Sequence, residues 1–151
     1  MLTTEKGQSI RFNASDVSVT GRNTQGVNGV KLDTDDTVVA GDVVESGDVV
    51  LTVTENGYGK FTKEEEHKVQ SRYGKGIKAM NMCERNGDIV DMKSIAEEDM
   101  DEVELVISVK DGRMFRTTCE DISVVGRVTK GVTIVDAGSS EVSSATESNI
   151  L

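Results

Sequence analysis

The chain has no proline and no tryptophan, one histidine and two cysteines in 151 residues, and aromatics make up only 3% of it. Each shortage excludes something. Without proline, turns must rest on Gly, Asn and Asp, and glycine is frequent at 15. With aromatics scarce, a core must be built from Val, Ile, Leu and Met. Cys83 and Cys119 belong to no Cys-x-x-Cys pair and His67 is the sole histidine, which argues against a zinc site or any metal centre. Two reduced cysteines in or near strands are the plain reading. A single histidine in a polar run makes no catalytic triad. No Gly-Lys-Ser/Thr phosphate loop is present, so ATP binding is not indicated. No catalytic residue and no cofactor are expected in this chain. No apolar run approaches the ~20 residues of a membrane span, and the amino terminus is unlike a signal peptide. A soluble, cytoplasmic chain without a membrane partner is expected.

Positive charge is also in short supply. The net charge is −10, which taken globally argues against nucleic acid. The charge is uneven, however. From Asn86 to Glu104 there are eight acids against one base, Lys93; from Leu105 to Val135 there are five bases against three acids. The bases fall in turns, short strands and loops, and the acids gather in connectors.

What is present is a repeat. Val49–Thr54 is a β-branched run, Glu55-Asn56-Gly57 is a turn, and Lys60, Phe61 and Thr62 form a second short strand. Asn-Gly between such runs is a strong hairpin signal, because both residues tolerate positive φ. A Gly- and Lys/Arg-rich loop, Arg72 to Gly76, follows. The turn glycines Gly7, Gly57 and Gly112 lie 50 and 55 residues apart, and the loop arginines Arg22, Arg72 and Arg127 repeat both intervals. A period of about 50 residues built from strands and turns implies blades rather than helical solenoids.

In chain order, the first unit reads as strands near 1–4, 10–12, 27–32 and 37–44. The second has strands near 49–54, 60–62, 77–82 and 89–95, with Asn86-Gly87 as a further hairpin turn. Residues 96–101 are one helical turn or an acidic loop. The third restarts at Val103 and lacks a fourth strand. Units of 1–46, 47–101 and 102–135 result, with 136–151 expected as a disordered polar tail because it is rich in Ser, Glu, Ala and Thr. The fold class is all-β: a propeller-like array of four-stranded blades, three in number. Closed propellers use ~4–8 blades, so the array is expected to be part of a ring or to self-associate to complete one.

Taken together and in order, Glu55-Asn56-Gly57-Tyr58-Gly59-Lys60-x-Thr62, the Gln70-x-Arg72-x-Gly74-Lys75-Gly76 loop, and the Gly-Arg-x-x-x-Gly-Val loops at Gly21 and Gly126 resemble the carboxy-terminal domain of DNA gyrase A and of its topoisomerase IV relative. The resemblance covers residues 1 to 135. It implies a β-pinwheel, with these repeats as the last half of a six-bladed ring. It also implies binding and bending of double-stranded DNA around the rim, in support of ATP-dependent supercoiling by a whole type II topoisomerase. The implied partners are the gyrase B subunit, together with the rest of the gyrase A subunit. The family's Gln-Arg-Arg-Gly-Gly-Lys-Gly box has its nearest match at Gln70 to Gly76, which reads as the ordinary loop of a later blade.

Wrapping DNA needs cations spaced along an arc. The candidate DNA contacts are Arg11 and Arg22 in the first unit, Lys60, Arg72, Lys75 and Lys78 in the second, and Arg113, Arg116, Arg127 and Lys130 in the third. For Arg22, Arg72 and Arg127 an equal alternative is a bridge to a neighbouring blade's carboxylate or carbonyls. Lys60, Lys75 and Lys130 are expected to be solvated. Glu64-Glu65-Glu66 is expected to be a solvated face, with His67 exposed and inert beside it. A rival function is a protein-interaction propeller that uses the acidic connectors, especially Glu97 to Glu104; a topoisomerase IV-type domain selecting DNA geometry without wrapping is another.

Overall fold

The computed structural model describes residues 1–149. The strands are β1 (Leu2–Thr4), β2 (Gln8–Ile10), β3 (Val38–Gly41), β4 (Asp48–Thr54), β5 (Tyr58–Lys63), β6 (Ile77–Lys78), β7 (Ile89–Ala96), β8 (Val103–Val109), β9 (Met114–Thr118), β10 (Val132–Thr133) and β11 (Val142–Asn149). They form three antiparallel sheets in the orders β3-β1-β2-β6, β10-β5-β4-β7 and β11-β8-β9. Helical structure among the described residues is limited to 3-10 turns at 14–16, 64–66, 97–99 and 119–121. None is long or apolar enough to cross a membrane.

The three expected hairpin turns form alike. The amides of Gly7, Gly57 and Gly112 donate to the carbonyls of Thr4 (3.2 Å), Thr54 (3.1 Å) and Val109 (2.9 Å). β4 is the central strand. Its residues Val49 to Thr54 are all buried, so it reads as a continuous β-branched run with both faces covered. β8 instead alternates between buried and half-buried positions. Val49, Leu51, Val53, Phe61 and Ile95 of the second blade pack with Leu105, Ile107, Val142 and Ala145 of the third. Each of these side chains other than Ala145 contributes ~1.5–3 kcal/mol on full burial. β7 also packs against β3 and β11, so these strands form the inner side of the array. β6 and β10 lie on the opposite edges of their sheets, at the rim.

Blades exchange strands. β6 comes from the second repeat but pairs with β2 of the first; β10 comes from the third but pairs with β5 of the second. The unit boundaries expected from sequence therefore cut across the sheets. The expected disordered tail is also corrected: residues 142–149 are β11, paired with β8 from Val142↔Val109 to Asn149↔Val103. Polar composition hid this strand because only Val142 and Ala145 face the core. β11 stands beside β8 as β7 stands beside β4, so the third blade does possess the strand it was expected to lack. Two further expectations fail. Residues 27–32 form no strand and pair with no strand edge among the described residues. Asn86-Gly87 joins no hairpin, because β6 pairs with β2; buried Asn86 instead donates from Nδ2 to the Lys130 carbonyl (2.5 Å).

Candidate nucleic-acid interface

In each repeat a 3-10 turn leaves the second strand, and in the second and third repeats the chain then crosses to the preceding blade as a loop. The loop lies over that blade's outer strand. The Gln70 amide donates to the Arg11 carbonyl (2.7 Å), and the Val125 amide donates to the Phe61 carbonyl (2.9 Å). Successive loops also bond to one another. Lys31 N–H donates to the Gly74 carbonyl (2.9 Å), Tyr73 N–H to the Gly29 carbonyl (2.9 Å) and Asn81 N–H to the Thr129 carbonyl (3.0 Å). The result is a backbone-linked stack of three loops along the rim.

The candidate cations divide sharply on this frame. Lys60 was expected to be solvated and is fully buried. Its Nζ donates to the carbonyls of Gly126 (3.2 Å), Arg127 and Thr129 (3.1 Å) and to Thr129 Oγ1 (3.3 Å). Burial lowers its pKa to about 8. The physical reason is the strand exchange: the loop of the third repeat closes over Lys60, and the ammonium satisfies carbonyls that no strand reaches. Arg11 is likewise drawn inward, paired with the Glu64 carboxylate and donating to the carbonyls of Glu64 (3.1 Å) and His67 (3.3 Å). Neither residue is free to meet phosphate, and both leave the candidate set.

Arg72 and Arg127 fulfil the carbonyl-bridging alternative. Arg72 donates to Asp16 (3.0 Å) and Asn28 carbonyls, and Arg127 to the Lys78 carbonyl (2.5 Å). Each locks its loop onto the preceding one while remaining part of the rim. Arg116 pairs with Glu104, Arg113 with Asp111 (2.8 Å) and the Ala137 carbonyl (2.6 Å), and Lys75 with Asp33 (3.0 Å). These pairs are exposed, so water screens them and a phosphate can replace the carboxylate. Arg22, Lys78 and Lys130 are exposed and have no acidic partner among the described residues.

Lys31, exposed where the first and second loops meet, was not foreseen. Its counterparts at the same offset are Asn81 and Asp136, so no repeating signal marked it. Asp33, Glu66 and Asp111 lie among the rim cations, beside Lys75, the Arg127 amide and Arg113, and a second group of acids lies elsewhere. Glu97, Glu98 and Asp99 follow the inner strand β7, and Asp99, Asp101 and Glu102 line a shallow depression with Val103 and Asn149 at the end of β11.

His67 corrects the other solvent expectation. It is buried against the first blade, with Nδ1 3.3 Å from Ser9 Oγ, and burial together with the Arg127 and Lys60 charges lowers its pKa to about 4. Glu64 and Glu66 are engaged too, the first by Arg11 and the second by the Arg127 amide (2.6 Å). Cys119 is buried and Cys83 half-buried, both free. No group of three or more His, Cys, Asp or Glu able to hold a metal occurs among the described residues.

Strand-exchanging blades with stacked rim loops define a β-pinwheel array of the propeller type. The chain belongs to the family described as the DNA gyrase C-terminal domain, beta-propeller, whose model matches residues 1–45, 48–96 and 110–143. It is 43% identical over 138 residues to the DNA gyrase A protein of Haloquadratum walsbyi, covering 90% of this chain and 16% of that protein. It is 40% identical over 140 residues to the DNA gyrase A protein of Staphylococcus epidermidis, covering 91% and 15%. The chain thus spans about one sixth of the length of these relatives. A solved DNA gyrase A C-terminal domain superposes with a TM-score of 0.83 at 25% identity, over 97% of this chain and 49% of that one. The C-terminal domain of DNA topoisomerase IV gives a TM-score of 0.88 at 21% identity, over 98% and 46%, a likeness of fold.

Proposed function

We propose that this chain is a DNA-binding accessory module of a type II topoisomerase of the gyrase kind, contacting duplex phosphates without base readout along its rim. The observation that carries this reading is the loop stack. Three loops hydrogen-bonded edge to edge present Arg22, Lys31, Lys78 and Lys130 in series, with Arg72, Lys75 and Arg127 between them. Fixed spacing matters because bending a ~20–30 bp site by roughly 40–90° costs about 1–6 kcal/mol, which must be offset by contacts held in place beforehand. One group of acids follows the inner strand β7, and those at the rim, Asp33 on Lys75 and Asp111 on Arg113, must be displaced by phosphate, so the negative charge weakens binding. The module contributes no chemistry. Strand passage and ATP hydrolysis belong to the gyrase B subunit together with the remainder of the gyrase A subunit, and supercoiling is the work of the assembled enzyme.

Titration of a fluorescent 30-base-pair duplex with the chain at several salt concentrations tests this. The expected slope of log affinity against log salt is about −0.9 for each phosphate neutralised, or −4 to −6 for the cations that face outward. No binding at low salt overturns the proposal. It favours instead a protein contact through the acidic end of β7 and β11.

A further inference from the structure

The second blade carries a cation that the loop stack does not include. Arg85 lies in the connector from β6 to β7, residues 79–88, and is exposed. Its guanidinium carbon sits 4.4 Å from the centroid of the Tyr58 ring, a cation–π stack. Its Nε donates to Asn86 Oδ1 (2.9 Å). Asn86 is fully buried, and its Nδ2 donates to the Lys130 carbonyl (2.5 Å), so one amide joins the guanidinium to the third rim loop. The backbone beneath is pinned as well. Asn56 N–H donates to the Asn86 carbonyl (3.2 Å), and Asn56 Nδ2 donates to the Arg85 carbonyl (3.0 Å). Tyr58 is placed by β5, where it pairs with Thr133 of the rim strand β10.

The two Nη groups of Arg85 have no hydrogen-bond or acidic partner among the described residues. Neighbouring acids are engaged elsewhere or point to solvent. The Glu55 carboxylate accepts the Asp88 amide (3.0 Å), and Asp88 pairs with Lys6 (2.7 Å). Glu84 is exposed. Arg11, Arg72, Arg113, Arg116 and Arg127 all commit an Nη nitrogen to a carbonyl or carboxylate. Arg85 alone combines a fixed plane with an open fork. The equivalent connectors, residues 30–37 and 134–141, contain no arginine, and Gln8 and Arg113 stand where Tyr58 does. The arrangement belongs to this blade and not to the repeat.

We propose that Arg85 is a preset fork whose Nη groups take two oxygens of one backbone phosphate of the duplex, with Tyr58 and Asn86 as the residues that position it. The inference rests on the DNA-binding reading above and adds a site beside the loop stack, where β10 borders β5. A planar guanidinium matches two phosphate oxygens at once, which an ammonium cannot do. Stacking and the Nε bond fix the side chain before the ligand arrives, so less ordering is lost on binding.

The duplex titration tests the fork separately from the rim. Arg85→Ala is expected to weaken binding ~10-fold and to reduce the salt slope by about one. Arg85→Lys keeps the charge and the slope but should still weaken binding ~5-fold, whereas Lys78→Arg at an unstacked rim position should change it less than ~2-fold. Tyr58→Leu should weaken binding ~3-fold at unchanged slope. The melting temperature of both Arg85 variants should stay as it was, because the side chain is exposed. If the unsubstituted chain binds no duplex at low salt, both readings fall. If it binds, and Lys130→Glu weakens it while Arg85→Ala does not, only the fork falls. An Arg85→Lys chain that binds as well as the unsubstituted one overturns the paired contact. Inorganic phosphate at constant ionic strength should not displace the duplex. Displacement that Arg85→Ala abolishes would assign the fork to a free anion and overturn the DNA contact.

Discussion

The loop of the second repeat and the loop of the first have the same design and opposite surroundings. Around Arg72 the loop is seated: His67 is buried, Ile77 is paired with Ser9, and Ile10 is sealed beneath it. Around Arg22 the loop lies on no strand among the described residues, and residues 13–28 are exposed throughout. The difference shows that the loop's shape comes from the blade underneath, whereas its residues are chosen for that blade. Positions 17, 67 and 122 hold Val, His and Ile, three side chains that share only the ability to fill a gap between blades.

Glycine substitution breaks this contrast most directly. Gly26, Gly76 and Gly131 occupy one place in the three loops, at φ of 75°, 78° and 74°. A Cβ at Gly76 would lie 2.2 Å from the Ser9 carbonyl oxygen and at Gly131 2.6 Å from that of Gly59, while at Gly26 it meets nothing within 4 Å. Gly76→Ala is therefore expected to cost ~3 kcal/mol or more by thermal melting. Gly26→Ala should cost only the ~1 kcal/mol of left-handed strain. Equal losses would mean that the loops are not differently seated.

Replacing Lys60 by the residue found at its first-repeat counterpart, Ile10, sharpens the comparison. Lys60→Ile leaves the carbonyls of Gly126, Arg127 and Thr129 without their donor, and about 2–3 kcal/mol of stability should be lost in urea titration. Near-neutral behaviour would show that the third loop seats itself on apolar packing, as the second does.

The buried imidazole supplies a pH test. The folded-state pKa of His67 is depressed to about 4 from 6.5, so between these values the unfolded chain binds the proton and the folded chain does not. Stability should therefore be complete above pH 6.5 and fall by about 3 kcal/mol as the pH drops toward 4. His67→Val, which installs the first-repeat residue, should remove most of that slope. A slope unchanged by the substitution would show that His67 is not its source.

The smallest effect concerns the rim. Lys78→Glu or Lys130→Glu should each lower DNA affinity about 5–10-fold and reduce the salt slope by about one, with no change in melting temperature. Arg11→Gln should instead lower stability while leaving the salt slope alone, because its guanidinium is held by Glu64. The reverse pattern would restore Arg11 to the DNA-facing set.

Much of this was legible in the residues. The spacing of Gly7, Gly57 and Gly112 located the three hairpins, because a turn at a fixed offset from β-branched runs is a local property. Arg72 and Arg127 showed that something in each blade depended on them, but not what. Lys60 and His67 were misread for one reason. Charge and polarity suggest solvent when only neighbours in sequence are considered, and here the covering group arrives from 66 and 58 residues away. β11 was missed because its partner β8 provides the apolar face and the strand itself needs only Val142 and Ala145 to complete it.

By itself, then, the order of residues determined the blade count, the turns and the family of the fold. These depend on local backbone preferences and on a period that needs no contact map to be seen. Which cations face outward and which are buried beneath a neighbour's loop were decided only by tertiary structure. In a strand-exchanged array each blade is finished by the repeat that follows it, so the fate of a side chain is set by a segment about fifty residues further on.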